Sequence, residues 1–451
     1  MSRVLAFVTM MVLLAVSSAV SEELCDPVFQ DCRAKLIAYI NAEKVGIDIG
    51  FNLWQETEAA RPLVSAVIAR HRAGVRVRVI TDLRRAANKP VIDQMKLAGI
   101  PVRYKNGGGV FHWKYFHFAG QQVTEFAATN FTPDYLRPRT PYVDGYVDPL
   151  YFTTDLAVVQ SLARRYEDMW VDTVNFVNLA NVTSLARAYP LWPIVSTLSF
   201  VPLQNFLTRS KPHYDAETKQ IDTVMYKITE PGHADAVIRA AKRGVLVRII
   251  TEPGHYRSTA NYWHAYHLDR MHVAGVKIRE RAHKGFLHQK TTLLYSQALT
   301  IFGSSNWALA ANSQQWEHNY FTGKAWFFTW MQQAFNRRWN NSTGHVETRA
   351  FEPLPPGVPV YVGPANAAGA QPATIVLSWK PGMWAHRADV YFGTSPTPPL
   401  YRAGVAVTAG ASAVKKFTIT GLTPGRTYYW RVVSKTMAGR SASGPTWSFG
   451  T

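Results

Sequence analysis

"AVIRAAKRGVLVRIITE", residues 236–252, reads as a single folding unit. Apolar residues recur at helical spacing up to Lys242, Gly244 follows, and Val245–Ile250 is a mostly β-branched run. That order is an amphipathic helix, a glycine at its end, and a strand suited to burial on both faces. "AVIARHRAGVRVRVITD", residues 66–82, repeats it, with Gly74 in the matching place. Further on, "MKLAGIPVR" (95–103) is answered by "MHVAGVKIR" (271–279). Self-similarity over so long a period predicts two copies of one α/β unit.

Outward from these matches the copies stay in step. Gly99 lies thirteen residues before His112, and Gly275 thirteen before His288. Each histidine opens an H-x-K, with Lys114 in "HWK" and Lys290 in "HQK". "ATNFT" (128–132) answers "SSNWA" (304–308), which aligns Asn130 with Asn306 and places Ser304 two residues before it. "DPLYFT" (148–153) answers "EHNYFT" (317–322), which aligns Asp148 with Glu317. The first copy carries seven extra residues between its Asn and its acid.

In a strand, His and Lys two apart share a face. Two copies about a pseudo-twofold axis would bring two His, two Lys and two Asn to one cleft. That set suits a phosphodiester. One imidazole attacks phosphorus; the other protonates the leaving oxygen and then activates water. The lysines and the amides of Asn130 and Asn306 would hold the non-bridging oxygens. Asp148 and Glu317 are the expected acceptors for the far nitrogens of the imidazoles. Glu317, in the same copy as His288, is expected to orient His288. That leaves His112 as the expected nucleophile.

At these residues the chain resembles the phospholipase D superfamily, with its H-x-K-x4-D and G-S-x-N signatures. The resemblance covers residues 24–340. The second copy keeps His288, Lys290, Gly303, Ser304 and Asn306, with Tyr295 at the place of the motif Asp. The first keeps His112, Lys114 and Asn130, with Ala119 for the Asp and Ala127-Ala128 for Gly-Ser. The resemblance implies an α/β sandwich of two pseudo-symmetric repeats, a histidine nucleophile, and neither metal nor other cofactor. It points to His112 as that nucleophile.

The rest of the chain sets the frame. Its 451 residues are too many for one ordinary domain. Residues 1–21 have the basic start, short apolar run and small-x-small end of a signal peptide, so a secreted protein is expected. Cys25 and Cys32, the only cysteines, should pair in that compartment. The expected domains are a first repeat (22–175), a proline-bearing irregular connector (176–218), a second repeat (219–350) and an all-β module (357–451). The last, with Trp379 and "GLTPGRTYYWRV" (421–432), resembles a fibronectin type III domain, an immunoglobulin-like sandwich. Trp113, Trp307 and His117 are expected to serve packing, and His283 and Lys284 a solvated turn. The formal charge of +19 suits anionic partners. A phospholipid or membrane surface is the expected partner, because two copies with a long connector are the layout of the lipid enzymes. DNA or RNA is the alternative, a binding protein on an inactive fold the third reading, and a monomer the expected state.

Overall fold

The computed structural model describes residues 21–56, 61–408 and 413–451. All but the last residue of the expected signal peptide lies outside the described residues.

The first lobe is an eight-stranded sheet. Its strands are β1 (Glu23–Cys25), β2 (Gly46–Phe51), β3 (Arg76–Thr81), β4 (Val102–Lys105), β5 (Lys114–Phe118), β6 (Val123–Phe126), β7 (Leu150–Thr153) and β8 (Phe176–Ala180), in the order β1-β7-β6-β5-β2-β3-β4-β8. The second lobe uses β9 (Leu198–Val201), β10 (Gln220–Met225), β11 (Leu246–Thr251), β12 (Lys277–Arg281), β13 (Lys290–Leu294), β14 (Leu299–Gly303), β15 (Glu317–Thr322) and β16 (Thr348–Ala350). Their order is β9-β15-β14-β13-β10-β11-β12-β16. The orders are the same element for element. In each lobe the first three strands of the repeat run parallel, and the H-x-K strand pairs antiparallel with the first of them. Helices Pro62–Arg72 and Pro231–Lys242 correspond, and both end on glycines, Gly74 and Gly244, at φ of 86° and 90°. Only glycine takes that turn without a Cβ penalty.

The expected connector is an irregular surface segment only over residues 181–197; its two ends are built into the lobes. Its first strand, β8, closes the edge of the first sheet against β4, and β9 closes the second against β15. Helix Phe206–Ala216 is the counterpart of Cys32–Ala42 in the first lobe. The strands are four or five residues long and Pro190, Pro193 and Pro202 flank them, so no period was there to read.

The sheets meet through a shared aromatic core. The Phe126 ring lies 6.1 Å from Phe302 and 5.9 Å from Tyr320, and Tyr151 lies 6.0 Å from Tyr320. Trp113 and Trp307 are fully buried. His117 is buried too, with Nδ1 on the Thr124 hydroxyl. Cys25 and Cys32 form a disulfide that ties β1 to helix Cys32–Ala42.

Residues 360–450 form two small antiparallel sheets of three and five strands with their own core around Trp379 and Trp430. The Tyr428 hydroxyl accepts a bond from the Thr423 amide at 2.9 Å.

Candidate active site

Each H-x-K histidine sits just before its strand, at the seam between lobes. Short parallel bridges cross that seam twice, Phe111 with Trp316 and Val147 with Leu287. The His112 amide donates to the Trp316 carbonyl at 2.9 Å, and the His288 amide to the Val147 carbonyl at 3.1 Å. The residue after Trp316 is Glu317, and the residue after Val147 is Asp148. The seam therefore delivers each acid to the histidine of the opposite lobe.

The side chains follow. His112 Nδ1 lies 2.8 Å from Glu317 Oε2, and His288 Nδ1 lies 2.9 Å from Asp148 Oδ2. This overturns the expectation that Glu317 orients His288. Sequence alignment of two copies establishes which residues are equivalent; it does not say which copy faces which. The acids differ in support. Ser304 Oγ donates to Glu317 Oε2 at 2.5 Å and accepts from the His318 amide at 3.1 Å. At the place of Ser304 the first copy has Ala128, and Asp148 Oδ1 meets no hydrogen-bond partner among the described residues.

The lysines lie beside the imidazoles. Lys114 Nζ donates to the His112 carbonyl at 2.7 Å. Lys290 Nζ reaches the His288 carbonyl and lies nearly equidistant from His288 Nδ1 and Nε2, at 3.0 and 3.1 Å. His112 Nε2 meets no hydrogen-bond partner among the described residues. His112 and His288 keep 8% and 7% of their surface exposed, while Lys114 and Glu317 are fully buried. The buried Oδ1 atoms of Asn130 and Asn306 meet no hydrogen-bond partner among the described residues.

Burial dominates the electrostatics. It drives both histidines well below their ordinary range, and the two lysine charges push the same way. Both imidazoles are neutral at rest, as a nitrogen nucleophile must be. Burial also brings Lys290 down to about 7, against the pull of Asp148 and Glu317. It lifts Asp148 to about 7 against Lys290, and Glu317 to about 8 against Lys114. These six groups titrate together.

Ala119 and Tyr295, at the place of the motif Asp, lie past the far ends of β5 and β13. Seven residues at ~3.3 Å each separate them from His112 and His288, on the order of 20 Å. Neither can touch a phosphorus bound at the histidines. Glu43 and Glu217 supply the carboxylates at that end of the strands. Glu43 accepts from the Gly120 amide at 2.9 Å, and Glu217 from the Ser296 amide at 2.9 Å.

Three neighbours escaped the sequence reading. The Tyr226 ring lies 4.6 Å from His288 and 4.3 Å from His255. Exposed Arg85 bears electrostatically on His112, Lys114 and Tyr226. None lies in a motif. Only the position of Tyr226 directly after the first strand of its repeat, on a strand end that opens to the cleft, could have pointed to it.

Residues 214–339 match the family model for the PLD-like domain of cardiolipin synthase. Mitochondrial cardiolipin hydrolase of Xenopus tropicalis is 25% identical over 121 residues, which is 27% of this chain and 55% of that protein. The Chlamydomonas reinhardtii protein of the same name is 23% identical over 134 residues, 30% of this chain and 57% of its own. The chain thus spans little more than half the length of these curated relatives. Phosphatidylserine synthase of Haemophilus influenzae Rd KW20 has a similar fold, with a TM-score of 0.59 at 13% identity over 73% of this chain and 87% of its own. Polyphosphate kinase from Porphyromonas gingivalis gives 0.53 at 13% identity, over 74% and 48%. The matched segment in the second lobe and the two-lobed fold together support the phospholipase D superfamily.

Proposed function

We propose that this chain is a phosphodiesterase working through a phosphohistidine. The observation that carries the reading is the crossed pair of imidazoles. Each has Nδ1 on a buried carboxylate of the other lobe, with a lysine alongside. Such a carboxylate fixes the tautomer and leaves Nε2 for chemistry.

His112 is the nucleophile in this reading. Its acid is the braced one, and its Nε2 lone pair is unengaged. Both ring nitrogens of His288 already have a proton donor beside them, Lys290 Nζ at 3.0 and 3.1 Å, which suits an imidazole that shuttles protons. The bound diester anion raises the pKa of His288, which enters the reaction protonated. His112 Nε2 bonds to phosphorus, the bond to the leaving oxygen breaks, and His288 Nε2–H protonates that oxygen. Water then attacks phosphorus as His288 takes its proton, and the N–P bond breaks. Lys114 and Lys290 hold the non-bridging oxygens as charge builds on them.

A phospholipid is the substrate the relatives' names support. We also read the protein as secreted, which the disulfide supports. The C-terminal sandwich is read as a fibronectin type III-like spacer. Both lobes lie in one chain, so a monomer suffices for a complete site.

Rapid quenching under non-acidic conditions, in excess EDTA, tests the chemistry. With an activated aryl phosphodiester, His288→Ala should trap phosphate on His112, because a good leaving group needs no proton. Label on His288 in His112→Ala, and none in His288→Ala, would reverse the roles. Label in neither, or only when a divalent ion is restored, would sink the mechanism.

A further inference from the structure

A cavity of about 450 Å³ lies where the C-terminal module meets the second lobe, and no residue of the H-x-K centre lines it. Trp263 and Tyr266 line it from helix Tyr262–Val273. His386, Arg387, Lys415 and Met437 line it from the module. Its volume is in the range that holds a small ligand.

The packing of module on lobe leaves three features of this lining unexplained. His386 is 4% exposed, yet neither ring nitrogen meets a hydrogen-bond partner among the described residues. Buried polar groups are normally paired, so an orphaned imidazole on a cavity wall marks a place for a ligand. Burial, then Arg257 and His267, holds that ring at about 4, so at neutral pH it has one N–H to donate and one lone pair to offer. Trp263 is 48% exposed, steadied edge-to-face by Tyr266 at 5.3 Å. Arg387 and Lys415 form no ion pair among the described residues, and no Asp or Glu among them lines the cavity.

We propose that this cavity binds a sugar acid, the end of a uronate-bearing glycan, and so seats the protein on an acidic polysaccharide. The module is then more than a spacer. The half-open indole offers an apolar face to the C–H side of a pyranose ring. An imidazole that both donates and accepts suits a hydroxyl, which does both in return. Arg387 and Lys415 answer the carboxylate. Other small ligands fit less of the lining: an apolar one leaves the imidazole orphaned, an inorganic anion needs no indole, and a cation meets like charge. The formal charge of +19 acts in the same direction over the whole surface. The proposal is independent of the phosphodiesterase chemistry and of its substrate.

Fluorescence anisotropy of the full chain with fluorescein-labelled tetragalacturonate tests it. Wild type should bind saturably, and unlabelled tetragalacturonate should displace the probe where maltotetraose, a neutral oligosaccharide, does not. Trp263→Ala should weaken binding by about tenfold or more. Lys415→Gln should weaken it and flatten its dependence on salt. Both variants should keep wild-type turnover of an aryl phosphodiester within about twofold or, if wild type has none, its cooperative unfolding transition. No saturable binding by wild type overturns the proposal. So does binding that falls in only one variant or in neither, and so does displacement by maltotetraose as effective as by tetragalacturonate. Tighter binding of an oligothymidylate, lost in Trp263→Ala, would assign the cavity to nucleic acid instead.

Discussion

The Ser304 hydroxyl is turned to an acid and not into the cleft between the histidines' free nitrogens: it donates to Glu317, and Glu317 holds His112. It is a positioning residue, and Ser304→Ala leaves a buried carboxylate short of a donor. Leaving a buried acceptor without its donor costs about 1–3 kcal/mol, so kcat should fall by roughly fivefold or more with KM little changed. A single-turnover measurement that finds the phosphorylation step unaltered would contradict this role. The lysines make a second prediction. Burial holds Lys290 down to about 7, so its positive charge is present below that pH and lost above it. Stabilisation of the non-bridging oxygens should therefore fade through neutrality, and kcat/KM should decline on the alkaline side. Lys290→Arg, whose charge does not titrate, should move that limb upward if the site accepts it. A wild-type profile still rising above pH 8 would exclude Lys290 from this work. At this scale much of the site was legible. The repeat put His112, Lys114, Asn130 and Asp148 in register with His288, Lys290, Asn306 and Glu317. The crossing of the acids was not legible, because it depends on the backbone bridges at Phe111–Trp316 and Val147–Leu287, which no motif encodes.

Among the elements, those that carried a period were readable and those that lacked one were not. Helix Pro231–Lys242 and strand Leu246–Thr251 announce themselves through apolar spacing and a terminal glycine. Edge strands Phe176–Ala180 and Leu198–Val201 are short and mostly lack alternation, and tertiary pairing alone makes them strands. Helix Phe206–Ala216 carries an internal proline, Pro212, which hid it further. Strand Glu23–Cys25 is three residues long, and it holds the edge of the first sheet against Leu150–Thr153. Tethering by the Cys25–Cys32 disulfide explains how so short a strand stays docked. The cysteines are seven positions apart, so the bridge closes a short loop and should contribute only about 2–3 kcal/mol. Cys25→Ser with Cys32→Ser should lower the unfolding midpoint and leave turnover intact. Two free thiols in the intact mass of protein produced in an oxidising compartment would contradict the bridge.

Across the whole molecule, the C-terminal sandwich has a core separate from those of the lobes. It still touches the second lobe, where Trp384 lies 5.0 Å from Tyr262 and His386 lies 5.0 Å from Tyr266. Truncation before Pro355 should therefore preserve turnover of a small diester while lowering thermal stability, since it uncovers helix Tyr262–Val273. The contact also carries a pH signature. Burial, then Arg257 and His267, brings His386 down to about 4; burial, then Arg270, does the same to His267. A histidine depressed in the fold contributes stability that is fully present above its unfolded pKa of about 6.5 and is lost as pH falls toward 4. Asp269, beneath the same contact, is raised to about 6 by burial and works in the opposite sense, gaining as pH falls. Two imidazoles against one carboxyl leave a net loss on acidification. The full chain should lose more thermal stability than the truncated chain between pH 7 and pH 5, and His386→Asn should reduce that difference. The truncated chain retains His267 but exposes it, which relieves the depression. Equal losses in both chains would place the acid sensitivity inside the lobes, where His233 and His318 are also buried and depressed, and not at the contact with the module.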